Sequence, residues 1–273
     1  MPGLSPIRRR QLECTGFLVF DPMNAINASL LMFVCAFGGA LLGVYVRRLL
    51  PETHLSSESK DVVKLGMGLV ATTSALVLGL LIASAKSFYD TQVAEVTQLA
   101  SNVVLLDRLL AHYGPESSEV RAVLRTAALK QVALLWSQEN SAATYVDLGT
   151  QGGDVILDHL EQLSPKDDKQ RSLQAQAVSV AIQLAQTRLL LLEQRRLPVP
   201  RALLATLIFW LFTLFVSFGL FAPFNITAMS SLFISAAAVS VAIFLILAFY
   251  HPYSGLIQIP EAPVRAALTL LGK

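Results

Sequence analysis

The sequence predicts an all-α membrane protein, four transmembrane helices with a soluble helical insert between the second and third. Three observations carry that prediction. Long stretches lack Asp, Glu, Lys and Arg altogether, the region between them holds most of the charge, and its apolar residues recur at steps of three and four. Of 273 residues, 54% are hydrophobic and 15% charged. Soluble domains run nearer 45–50% and about 25%.

Crossing a hydrocarbon core about 30 Å thick takes roughly 20 apolar residues at about 1.5 Å each. Residues 23–46, 65–85 and 202–260 carry no charged side chain. The first two stretches read as spans at 25–46 and 65–85. The third is long enough for two crossings, and Ala222-Pro223-Phe224-Asn225 supplies the break between them. This gives a third span at 202–221 and a fourth at 227–250. An ionised side chain at mid-bilayer costs several kcal/mol, which is why such runs favour lipid over a soluble core.

The chain then divides into an N-terminal extension (1–24), the first helix pair (25–86), a cytosolic insert (87–200), the second pair (201–250) and a C-terminal tail (251–273). In the extension, Arg8, Arg9 and Arg10 precede a mildly apolar run that Asp21 and Pro22 interrupt. No cleaved signal peptide is expected there, and Met23 is an alternative start to Met1. Four crossings place both termini and the insert on one side. Lys86, Arg195, Arg196, Arg201, Arg265 and Lys273 near the helix ends favour the cytoplasmic face of a cell inner membrane. Arg47, Arg48, Lys60 and Lys64 in the opposite loop pull the other way.

From Ser87 to Arg201 there are 11 basic and 13 acidic residues. Val93, Val96, Ala100, Val103, Leu106 and Leu110 mark one face of a helix that continues the second span without a break. Gly114 and Pro115 end it. A second helix from about Pro115 to Trp136 turns Val120, Val123, Leu124, Ala127 and Leu134 inward, with Glu116 and Glu119 near its start, where acids suit the helix dipole. After a Gly- and Asp-rich loop at 146–153, a short helix is expected near 155–163. A long one follows from about 169 to 196, striped by Leu173, Ala177, Val180, Leu184 and Leu191. Asp167-Asp168 reads as its polar start. Pro198 and Pro200 stiffen the junction to the third span. Beyond His251-Pro252, residues 262–271 read as a short amphipathic helix suited to the membrane surface.

Several function classes drop out. A net charge of +2 gives no electrostatic footprint for nucleic acid. Cys14 and Cys35 share no metal or redox spacing, and the four histidines are scattered. Asp154, Asp158 and Glu161 read as solvated surface acids. No catalytic residue, metal ligand or cofactor is assigned, so the chain does not read as an enzyme. The expected partners are the lipid bilayer and, on the grounds of the second span and the family resemblance below, further copies of the chain and inorganic anions, with no nucleic acid.

The second span is the least greasy. Gly68, Thr72, Ala75, Gly79 and Ala83, then Lys86, fall at steps of three and four on one helix face. Such a face packs closely against another helix, or it lines a watery path where several copies surround an axis. Lys86 stands four residues before Asp90, the spacing of a helical ion pair, or else forms a ring drawing anions to a pore mouth. In the first span, Gly39 and Gly43 make a GxxxG suited to close helix contact.

Leu50-Pro-Glu-Thr-His-Leu55, Lys86-Ser-Phe-Tyr-Asp90, Leu109 with Tyr113-Gly114, and Pro252-Tyr-Ser-Gly255 form an ordered set. In order and spacing the chain resembles, over about residues 27–271, the bestrophin-like membrane proteins of bacteria. Bestrophins are pentameric anion channels with four membrane helices and a cytosolic helical region, the second helix lining the pore. The resemblance therefore implies an oligomeric channel with the second span nearest the axis. The alternative is a non-conducting membrane scaffold that binds partners through the insert. This chain departs from the bestrophin pattern in having Gly, Thr and Ala where pore necks carry bulky hydrophobic side chains. It also lacks an evident acidic calcium cluster.

Overall fold

The computed structural model describes residues 25–49, 57–136, 155–194, 201–253 and 256–272. The N-terminal extension, the 50–55 motif, the 146–153 loop and the 195–200 junction lie outside the described residues. Every regular element among those described is helical. In chain order they are α1 (Ala25–Leu49), α2 (Ser57–Tyr113), a 3-10 turn (Pro115–Ser117), α3 (Ser118–Leu135), α4 (155–161), α5 (Asp168–Gln194), α6 (Arg201–Phe221), α7 (Ile226–Tyr250) and α8 (Ala262–Leu270). Four of these, α1, α2, α6 and α7, are long and apolar enough to cross a membrane. At 57 residues α2 is about 85 Å long, far beyond an apolar core of about 30 Å. Its charge-free stretch, residues 65–85, has by itself the length of one crossing.

The chain forms two compact units, Met1–Gly79 with Leu203–Leu245, and Leu80–Ala202 with Ile246–Lys273. In the first, α1 buries Ala28, Met32, Ala36, Gly39, Ala40, Gly43 and Val44 along one face. A side chain added at Gly43 would put Cβ 2.0 Å from the Val216 carbonyl oxygen, and one at Gly219 would meet Ala40 O at 1.9 Å. α1 and α6 therefore touch backbone to backbone, the contact that small residues permit in lipid. Gly39 faces the Phe212 ring. Phe233 of α7 packs edge-on against Phe33 and Phe37, with ring centres 5.1 and 5.5 Å apart. The break between α6 and α7 is closed by Asn225, whose Oδ1 accepts the Ala228 N–H at 2.8 Å. Arg47 Nη1 donates to Ala222 O at 2.5 Å.

The second unit has one apolar core. Val96, Ala100, Val103, Leu106 and Leu110 of α2 meet Val120 and Leu124 of α3, Ile156 and Leu160 of α4, and Ala177, Val180 and Leu191 of α5. The side chain of Leu134 lies outside the described residues, whereas Leu184 is half-buried against the core. α2 ends at Gly114, whose φ of 127° and ψ of −176° suit glycine alone. Ser117 Oγ then donates to Leu110 O and Gly114 O, and Gln170 Nε2 donates to Tyr113 O at 3.0 Å, satisfying carbonyls the helix leaves open. Asp167 starts α5 by accepting the Gln170 N–H at 2.6 Å.

The tail differs from the sequence expectation of a surface-lying helix. Val264, Ala267 and Leu271 of and beside α8 are buried in the core of the second unit, together with Ile259. Amphipathicity marks a face to be covered, and here protein covers it rather than lipid. The Trp136 indole N–H also donates to Ile259 O at 3.3 Å.

Candidate functional site: the uncovered face of α2

In the first unit, Gly68, Thr72, Ala75 and Gly79 are all exposed, and so are Ala83 and Lys86 in the second. A Cβ added at Gly68 or Gly79 would find nothing within 4 Å. The buried residues of the same stretch, Ser74, Leu81 and Ala85, lie on the other side of the helix. The exposed hydroxyls have partners in their own backbone: Thr72 Oγ1 donates to Leu69 O at 2.9 Å, and Thr73 Oγ1 to Leu69 O and Val70 O at 3.0 Å. Leu69, Leu76 and Leu80 flank the small residues and are also exposed.

This lack of cover sets α2 apart. Of its most apolar stretch only 11% is buried within the chain, against 33% for α1, 39% for α6 and 33% for α7. The two small-residue motifs thus have different surroundings. Gly39 and Gly43 are occupied by α6, while the α2 stripe meets no other part of the first unit at Gly68 or Gly79.

Lys86 forms an ion pair with Asp90 one helical turn on, and its ammonium lies 5.7 Å from the Tyr89 ring centre. Both charged groups are about half exposed, so the pair adds little stability. The neighbouring aromatics are engaged: Phe88 stacks near Tyr250 at 5.3 Å, and Tyr89 near Phe249 at 5.4 Å. Tyr253 Oη donates to Gln92 Oε1 at 2.8 Å. Gln92 in turn donates to Gln194, whose Nε2 donates to Glu95 Oε1 at 2.7 Å.

Sequence patterning alone does not single out Gln92, Asp107 or Gln131, yet all three are buried. Their register is the missed signal. Gln92 lies four residues before Val96, and Gln131 four after Ala127, so each continues an apolar stripe with a polar side chain. Among the described residues no three His, Cys, Asp or Glu side chains gather as a metal site.

An all-helical chain with four membrane-length helices, the second continuing into a helical unit, defines a class of membrane protein by fold. A family model for the bestrophin-like domain matches residues 34–264. The chain belongs to the bestrophin-like family. Two solved structures with this fold are point variants of a bacterial bestrophin homologue from Klebsiella pneumoniae. One has 12% identity and a TM-score of 0.66, covering 91% of this chain and 97% of that one. The other has 14% identity and a TM-score of 0.62, covering 89% and 97%. At such identities the likeness is one of fold. No curated protein matches the chain in sequence.

Proposed function

We propose that the chain assembles as a homo-oligomeric channel in the inner membrane, with Gly68, Thr72, Ala75, Gly79 and Ala83 of α2 lining the path and inorganic anions passing along it. One observation carries the reading: the membrane stretch of α2 is the least covered of the four, and its open face is small and partly hydroxylic. Large aliphatic side chains suit lipid, whereas a face of Gly, Thr and Ala suits a narrow watery axis shared by several copies. Family membership supports the oligomer and the anion. Lys86 stands at the end of the stripe with its charge shared with Asp90, so its influence on selectivity is that of a screened pair. The insert faces the cytoplasm in this reading, with both termini. The chemistry is passage rather than catalysis.

Imaging of the detergent-solubilised particle, followed by planar-bilayer recording, tests the proposal. It expects a symmetric ring with an axial hole, anion-selective current, and a shift in selectivity for Lys86→Glu. A particle without a hole, silent under all ionic conditions, overturns it. A second reading, a non-conducting scaffold, draws on the exposed Leu129, Ile182, Leu189 and Leu190 of the insert. These suit a protein partner as well as a neighbouring copy, and a dimer without an axis favours that reading.

A further inference from the structure

In the first unit, two arginines at the end of α1 are fixed on the turn between α6 and α7. Arg47 Nη1 donates to Ala222 O, and the Arg48 guanidinium lies 5.5 Å from the Phe224 ring centre. A carbonyl and a ring hold these groups without neutralising them, and neither arginine has an acidic partner among the described residues. Tyr45 and Phe224, 60% and 69% exposed, stand at the same end, as aromatic side chains do at headgroup level.

From this turn an open, shallow recess of ≈ 490 Å³ runs along the first turns of α7. Ile226 and Ile234 edge it, while Thr227, Ser230, Ser231 and Ser235 supply hydroxyls, and all six side chains are exposed. Elsewhere in the membrane helices of this unit, Ser29, Thr213 and Ser240 donate to their own backbone. The four hydroxyls of the recess form no hydrogen bond to any described residue. Away from water such donors are costly until something that accepts lies against them.

The chemistry selects the occupant. The charge-free spans of a second copy hold no carboxylate to offer the two arginines. A phospholipid presents acceptors along its phosphate and ester groups, in an interfacial layer about 5–8 Å deep. From Thr227 to Ser231 the helix rises about 6 Å, a match to that depth. Guanidinium groups engage phosphate oxygens in pairs. A choline headgroup carries its own cation and competes with them, whereas a glycerol headgroup does not. We propose that this recess and the two arginines bind the headgroup of an anionic phospholipid. The site uses none of the residues assigned to the conducting path, so it stands whether or not the chain conducts.

The test is thermal unfolding of the full-length protein in nanodiscs at fixed ionic strength. The discs hold dioleoyl phosphatidylcholine alone or mixed with dioleoyl phosphatidylglycerol. The mixture is expected to raise Tm by roughly 2–4 °C, the scale of a ligand-linked shift for a chain of this size. Arg48→Gln and the pair Ser230→Ala/Ser231→Ala each lessen the rise. Lys64→Gln, which takes one exposed charge from the first turns of α2, keeps it in full. No rise in the mixture, or an equal rise in Arg48→Gln, overturns the proposal. So does the same rise on adding sodium phosphate to phosphatidylcholine discs, which marks a site for free anions. A disulfide joining Ser231→Cys to a second copy in the mixed discs places another chain over the recess, and overturns it as well.

Discussion

Asp107 of α2 and Arg121 of α3 form a two-point ion pair, Nε donating to Oδ1 at 2.8 Å and Nη2 to Oδ2 at 2.9 Å. The carboxylate is 5% exposed and also accepts the Gly272 N–H at 3.2 Å. One buried group thereby joins the far end of the long helix, the helix that follows it and the last turn of the tail. Removing one partner leaves the other charge without compensation. Arg121→Leu is expected to destabilise the protein by about 2–4 kcal/mol, a range reduced for the partly exposed guanidinium. The double variant Asp107→Leu/Arg121→Leu should recover much of that loss. Chemical denaturation in detergent checks both, and equal losses in the single and double variants would refute the pairing.

The same pair sets a pH dependence. Burial alone would raise the Asp107 carboxyl, but hydrogen bonds from Arg121 and the Gly272 N–H, with the charges of Arg121 and Arg108, hold it below its ordinary 3.8. A carboxyl lowered on folding stabilises the protein above its unfolded value and loses that contribution as pH falls through its folded value. Stability should therefore be steady down to about pH 5 and fall below about pH 4. Asp107→Asn should show a shallower acid loss, measured as Tm against pH. Parallel acid curves for the two proteins would argue against this role.

The close contact of α1 with α6 makes Gly43 intolerant of any side chain. A Cβ there meets Val216 O at 2.0 Å and Leu220 N at 2.8 Å, both backbone atoms that move only with their helix. Gly43→Ala is expected to cost about 1–3 kcal/mol. Gly79→Ala, with nothing within 4 Å of the added methyl, should leave the fold intact or gain up to about 1 kcal/mol. Thermal unfolding of the two variants side by side distinguishes them.

Gly114 is the fixed stop of α2. Its φ of 127° with extended ψ is a conformation other residues adopt only under strain. Gly114→Ala should destabilise the second unit by about 1–3 kcal/mol, read as a lower Tm or faster proteolysis within the insert. An unchanged Tm would mean that the helix end is not held in this conformation.

Much of the architecture was legible because two solvents leave different patterns. Charge omission over 25–46 and 202–260 reports lipid, and the Val96–Leu110 stripe reports a protein core. Gly114-Pro115 ends α2 for reasons local to those residues. Pairing was not legible. Gly39/Gly43 and Gly68/Gly79 share the same small-residue logic, yet only the first pair meets α6, because spacing defines a face and says nothing of what arrives at it. The tail illustrates this as well, since the apolar side of α8 fits lipid or protein equally until Ile259 and Leu271 are placed in the core. Buried Asp107 and Gln131 escaped notice because isolated polar residues in a stripe look like surface positions until their neighbours are known.

The most direct measurement of the central claim is water access to the open face of α2. Single cysteines at Thr72, Ala75 and Gly79, in a background with Cys14 and Cys35 replaced by serine, are treated in liposomes with a charged, membrane-impermeant thiol reagent during current recording. The account predicts rapid modification at all three positions together with block of the current. Failure of that reagent at all three, with ready labelling by a lipid-soluble maleimide, would place this face in lipid and contradict it.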